Sequence, residues 1–126
     1  RTYAPVVKEI ISKVGVSNID GMIHCSGGAQ TKVLHFVENK HIIKDNLFNT
    51  PIVFDLIQDE SKTSWKEMYQ VFNMGHRLEI YTDKLSAQKI IDISASFNLE
   101  AKIIGRVEDS ISNKLSISGD KGNFEY

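Results

Sequence analysis

The sequence predicts one α/β domain (α+β in class) with a mixed sheet, and three observations predict it. Stretches with apolar residues at helical spacing alternate with short strand-like runs. The strand–helix–strand order comes with connections short enough to favour a mixed sheet over a doubly wound parallel one. No repeat, low-complexity tract or linker interrupts the 126 residues, a length that suits a single domain.

The elements follow in order. Pro5 suits a first helical turn, where a missing N–H costs nothing, and Val6, Val7, Ile10, Ile11 and Val14 recur at helical spacing up to Gly15. Gly21–Cys25 is too short for a helix and predicts a strand running into Ser26-Gly27-Gly28. Ala29–Leu34 reads as a short helix or irregular chain, and Ile42–Ile43 as a possible strand within a mixed stretch to Asp45. Thr50-Pro51 opens a second helix, with Ile52, Val53, Leu56 and Ile57 expected on its inner face. Ser64-Trp65-Lys66-Glu67 is a capping-box pattern, in which serine and glutamate satisfy each other's free N–H groups. The helix it starts carries Met68, Tyr69, Val71 and Phe72 and breaks at Asn73-Met74-Gly75. Leu78 and Ile80 alternate with Arg77 and Glu79, a strand pattern with one apolar and one charged face. Asp83 or Ser86 caps a helix to about Phe97, with Ala87, Ile90, Ile91 and Ala95 inward. Ala101–Glu108 and Leu115–Ser118 complete the expected strands.

Composition narrows the function classes. With 15 basic and 16 acidic residues the formal charge is −1, so no overall field favours nucleic acid or an anionic membrane. No apolar run approaches the roughly 20 residues of a membrane-spanning helix, and no signal-peptide pattern is present. The single cysteine, Cys25, has no internal partner, which fits a reducing, cytoplasmic home. Neither CxxC nor HExxH occurs, so no zinc or other metal site is expected in this chain. Arg1 stands where an initiator methionine would, directly before a helical pattern. This predicts a piece of a longer polypeptide, with a processed N-terminus as the alternative.

Two loops are candidates for chemistry. Gly27-Gly28 behind a strand is either a tight turn or backbone bared so that N–H groups converge on an anion. The Walker and dinucleotide fingerprints are both absent. His24 and Cys25, adjacent on a strand, point to opposite faces, so one of them faces the core. Phe72-Asn73-Met74-Gly75 lies between helix and strand, where Asn73 either reads a ligand amide or ends the helix. Arg77 has the chemistry to pair with phosphate or carboxylate, although a solvated strand residue is the commoner case. Asp55, Asp59, Glu60 and Glu67 read as solvated helix faces without an acid/base dyad, so no catalytic residue is assigned.

Taken together, RTYAPVV, MIHCSGG, TPIVFDLIQ, EMYQVFNMG and AKIIGRVE resemble the C-terminal domain of the aminoimidazole ribonucleotide synthetase family, the phosphoribosylformylglycinamidine cyclo-ligases. EMY-x-x-FNMG is the most specific of these runs. The resemblance implies a three-layer α/β/α arrangement, partly ferredoxin-like. It also implies ATP-dependent closure of the imidazole ring of formylglycinamidine ribonucleotide, giving aminoimidazole ribonucleotide, ADP and phosphate in purine biosynthesis. ATP and Mg²⁺ would be held mainly by an N-terminal domain that this chain lacks and that forms a homodimer in the family. The fragment alone would then be inactive. His24, Ser26, Gly27 and Gly28 match the family's glycine loop, implied to face substrate phosphate or the transferring group. Phe72, Asn73, Met74 and Gly75 match a second loop lining the same cleft. Three departures stand out: Ala29 replaces a third glycine, Ser26 a threonine, and His76-Arg77 a smaller apolar pair. Related ATP-dependent enzymes (selenophosphate synthetase, thiamine-phosphate kinase, formylglycinamidine ribonucleotide synthetase) and a non-catalytic ligand-binding domain are the alternatives.

Overall fold

A computed structural model describes residues 2–126; the expectation drawn from Arg1 lies outside the described residues. The chain folds as mixed α/β in the order α1 (Ala4–Val14), a 3₁₀ turn (Val16–Asn18), β1 (Ile19–His24), a longer 3₁₀ segment (Ala29–His35) and β2 (Lys40–Lys44). Then come α2 (Ile52–Ser61), α3 (Trp65–Val71), β3 (Leu78–Thr82), α4 (Lys84–Ser96), β4 (Gly105–Asp109), β5 (Lys114–Gly119) and β6 (Gly122–Glu125). β1 pairs with β3, and a second sheet has the order β4-β2-β5-β6. In that sheet β2 runs parallel to β5 but antiparallel to β4, and β5 is antiparallel to β6. The expected mixed sheet is therefore present. The residues group into two compact units, one reaching to Met22 and including Ile80–Ile103, the other Ile23–Glu79 with Ile104–Tyr126.

In the first unit α1 turns Val6, Ile10 and Val14 onto Ile90 and Ile93 of α4, with Tyr3, Ile19, Phe97 and Leu99 closing the rim. Burying each large aliphatic side chain contributes about 1.5–3 kcal/mol. Asp83 caps α4 by accepting from the N–H groups of Leu85 (2.8 Å) and Ser86 (3.0 Å). The Ser86 hydroxyl donates to the same carboxylate at 2.6 Å and, with those N–H groups, holds the Asp83 pKa below the usual range. The inward set on α4 differs from expectation in part: Ile93 is buried, whereas Ala95 is exposed.

In the second unit Tyr69, Met68, Leu115 and Ile117 are almost fully buried. Ser64 caps α3 by accepting from the Glu67 N–H at 3.3 Å, the serine half of the expected box. The apolar stripe of α2 does not face inward as predicted, since Ile52, Val53 and Leu56 are exposed. Phe54 instead turns in, its ring 5.9 Å from that of Phe72, and Ile57 is half-buried beside it on the helix. The helix is rotated by the aromatic pair, which its spacing of aliphatics does not report. Val71, expected inward on α3, is also exposed.

The strand predicted at Ala101–Glu108 starts only at Gly105. Before it, the Ile104 carbonyl accepts from the N–H groups of Asp45 (3.1 Å) and Asn46 (3.0 Å), so the backbone wraps the end of β2 instead of pairing alongside it. Pairing begins where a glycine permits: a Cβ on Gly105 would stand 1.9 Å from the Ile43 carbonyl oxygen. The last strand, Gly122–Glu125, was not anticipated. It forms because β5 turns at Gly119 and Gly122 pairs directly opposite, with Gly122 at φ +128°.

Candidate functional site

β1 delivers the glycine loop. At its end His24 is exposed and Cys25 is buried, the division that strand alternation predicts. The Cys25 N–H donates to the Arg77 carbonyl at 2.9 Å, which anchors this loop beside the entry to β3. The Ser26 carbonyl then accepts from the Ala29 N–H (2.8 Å), closing a turn over Gly27 and Gly28. Gly28 has φ +79°, the left-handed region that favours glycine, and Ala29 follows at φ +37°. The missing third glycine thus falls at a position where the backbone would suit one.

Gly27 differs from its neighbour. Its φ is not positive, it is exposed, and a Cβ built on it would meet nothing within 4 Å. Neither backbone strain nor packing in this chain calls for glycine there. The N–H groups of Gly27 and Gly28 donate to no described residue and both glycines are exposed, so the fold leaves two adjacent donors unpaired.

The second loop leaves α3 with the Phe72 N–H on the Met68 carbonyl (2.8 Å). The Asn73 side-chain oxygen accepts from the Gly75 N–H at 2.9 Å, an Asx turn, and the Asn73 carbonyl accepts from the His76 N–H at 2.9 Å. Asn73 therefore shapes its own loop with the very oxygen that would read a ligand donor. Gly75 sits at φ +95° with Pro51 carbons 3.0 Å from where a Cβ would lie, and Met74, at φ +51°, is buried. Phe72 packs on Phe54. His76 is buried too, accepting the Phe48 N–H at 3.2 Å and lying 5.2 Å from the Phe48 ring. This explains how a histidine occupies a position where the resemblance leads one to expect an apolar side chain.

The two loops are joined by a buried network that the sequence reading missed. Gln30, fully buried just after the glycine loop, donates from Nε2 to the Asn73 carbonyl at 2.9 Å. Its own carbonyl and Oε1 accept from Lys44 Nζ at 3.0 and 2.9 Å. The third Lys44 donor goes to Glu79 Oε1 at 2.6 Å, with both side chains at 5% exposure or less. Every donor of the buried ammonium is thus used, the condition for tolerating such a charge. On β3 this reverses the expected alternation: Glu79 is the buried residue, and Leu78 and Ile80 are only half-buried. A charge in a strand pattern reads as its wet face unless its partner is known, and Lys44 lies 35 positions away.

Cys25 lies against this pair. Burial, reinforced by the Glu79 charge, pushes its thiol up to about 12, so it is a core residue and not a nucleophile at neutral pH. Lys32 is the other cation at the loop: its ammonium donates to the His24 carbonyl at 3.0 Å and to the Ser26 hydroxyl. Of the carboxylates read as solvated, Asp59, Glu60 and Glu67 are exposed, while Asp55 is half-buried against Lys121 at 2.5 Å. Lys121 in turn lies 4.9 Å from the centre of the Trp65 ring. Among the described residues no group of three or more His, Cys, Asp or Glu side chains is placed to hold a metal ion, and no helix is long and apolar enough to cross a membrane. N–H, hydroxyl and ammonium donors suit phosphoryl oxygens.

No family model matches the chain. Individual relatives do. The chain is 33% identical over 111 residues to a protein of Methanococcus maripaludis strain C5, covering 88% of this chain and 31% of that one. It is 31% identical over 121 residues to a protein of Methanocaldococcus jannaschii, covering 96% and 33%, and 31% identical over 105 residues to one of Methanococcus vannielii, covering 83% and 30%. The chain thus spans about a third of the length of the curated relatives it matches. The fold and these relatives define the class as an α+β domain of a ligase family. Each of these relatives is named phosphoribosylformylglycinamidine cyclo-ligase, the family that the chain's motifs resemble.

Proposed function

We propose that this chain is the C-terminal domain of a phosphoribosylformylglycinamidine cyclo-ligase and that its glycine loop holds a phosphoryl group in that enzyme's cleft. In this reading the whole protein closes the imidazole ring of formylglycinamidine ribonucleotide in an ATP-dependent step of purine biosynthesis. ATP supplies the phosphoryl group that activates the formamide oxygen. This chain orients: the N–H groups of Gly27 and Gly28 and the Ser26 hydroxyl donate to phosphoryl oxygens, and His24 flanks them. Phe72, Asn73, Met74 and Gly75 act as a formed edge, held by Gln30. The observation that carries the reading is the pair of unpaired N–H groups at Gly27 and Gly28, together with a glycine at 27 that the fold itself does not need. An N-terminal ATP-binding domain and a homodimer of the full-length protein complete the proposal, with the cytoplasm as its place of action.

The test uses the full-length protein with formylglycinamidine ribonucleotide and ATP. Gly27→Val puts a branched side chain over the bared backbone without straining the turn. It is expected to lower kcat/KM by about 10-fold or more at unchanged melting temperature. Wild-type kinetics in that variant return the loop to a purely structural role. ATP turnover with a different substrate, and none with this one, removes the assignment of the reaction.

A further inference from the structure

Among the described residues Lys32 forms no ion pair with a carboxylate. Lys13, Lys40, Lys44, Lys121 and Arg106 each meet an Asp or Glu oxygen within 4 Å. Lys32 instead contacts two neutral oxygens, the His24 carbonyl and the Ser26 hydroxyl, and makes no ion pair among the described residues. Both oxygens belong to the glycine loop, and a Cβ on Gly28 would lie 3.7 Å from the Lys32 Cβ, so the side chain starts at the turn and folds back along it. An ammonium has three donors, and two are taken. One donor and a full unit of charge therefore remain on the loop that carries the two unpaired N–H groups.

We infer that Lys32 is the cationic member of the anion site, neutralising a phosphoryl group that Gly27, Gly28 and Ser26 hydrogen-bond. This rests on the reading of the glycine loop as a phosphate-facing site and adds the residue that supplies its charge. The unliganded contacts explain how the cation is kept there. Held on Ser26 and His24, the ammonium is oriented before an anion arrives, so less side-chain freedom is lost on binding. The turn contributes partial charges from its N–H dipoles, and the lysine supplies a full positive charge in direct contact with the loop. Sequence reading overlooked Lys32 because it lies four residues beyond Gly28, in a segment with no regular spacing; the 3₁₀ segment brings it back over the turn.

The experiment follows the amides of Gly27 and Gly28 by NMR in the full-length protein labelled with ¹⁵N-glycine, titrated with inorganic phosphate, ribose 5-phosphate and, as the uncharged control, ribose. Both amides are expected to shift with the two phosphates and not with ribose. Lys32→Gln should weaken binding by about 10-fold or more, while Lys32→Arg keeps it within about 3-fold, as expected for a charge-assisted bond. Equal dissociation constants for wild type and Lys32→Gln, with the amide shifts intact, overturn the Lys32 inference and leave the loop reading standing. Absence of any shift in the wild-type full-length protein overturns the loop reading and the inference with it. Tighter binding of ribose 5-phosphate assigns the group to a sugar phosphate and tighter inorganic phosphate to the free ion; either order upholds Lys32 where Lys32→Gln weakens both. Because Lys32 is part-exposed and outside the buried network, the folded spectrum of the variant serves as its own control.

Discussion

Gly27 and Gly28 are glycines for different reasons, and only one reason is internal to the fold. Gly28 holds a left-handed turn, where a side chain is strained, whereas Gly27 has neither the angle nor the crowding to require it. Gly28→Ala should therefore cost about 1–2 kcal/mol of stability by denaturant titration, and Gly27→Ala close to nothing. Cys25 makes a prediction in pH. Its thiol ionises near 9.0 when unperturbed and only at about 12 in the folded chain. The folded state thus holds the proton more tightly, so this contribution is complete below pH 9 and drains away as pH rises towards 12. Melting temperature should fall with pH across that window, and Cys25→Ala should flatten the fall. A part will remain, because burial also raises the ionisation of Tyr126 to about 12. In the same folded chain Cys25 should resist a thiol reagent at pH 8 and react once denaturant is added.

At the scale of elements, the second unit depends on two close approaches that its sequence does not advertise. The first is the Lys44–Glu79 pair linking β2 to β3, with Gln30 carrying the link to both loops. Removing one partner strands the other charge in the interior, so Lys44→Met or Glu79→Leu alone should cost about 3–5 kcal/mol. The double variant should recover part of this, with a coupling of about 0.5–3 kcal/mol in the double-mutant cycle; full recovery is not expected, since Gln30 Oε1 loses its donor. The second is Gly105, whose backbone runs against β2 with no room for a methyl group. Gly105→Ala must push β4 away from Ile43 and should destabilise the chain by about 1–3 kcal/mol. β4 tolerates its position at the edge of the sheet because its outer residues are charged: Arg106 pairs with Asp45 and Glu108 at 2.7 Å each.

For the whole molecule, the chain presents donors for an anion, and no metal-holding group occurs among the described residues. The 126 residues alone should give no ATP turnover with formylglycinamidine ribonucleotide, whereas the full-length protein should. Turnover by the chain alone would show that its own residues suffice and would displace the proposed division of labour. Much of the fold was legible in the sequence because it follows from local periodicity. Val6, Ile10 and Val14 spell a helix face, Asp83 spells its cap, and His24-Cys25 spell a strand with one side wet and one dry. The resemblance to the cyclo-ligase family was legible from motif order, and relatives of that name match the chain. Tertiary structure alone decided how the two glycine-containing loops are held: that Glu79 turns inward, that Lys44 meets it from 35 residues away, that Gln30 ties Asn73 to Lys44, and that Lys32 folds back over Ser26. The reason is physical. Periodicity reports which residues water prefers, while a buried charge is decided by whether a distant partner completes its hydrogen bonds, and that partner is fixed only when the strands have paired.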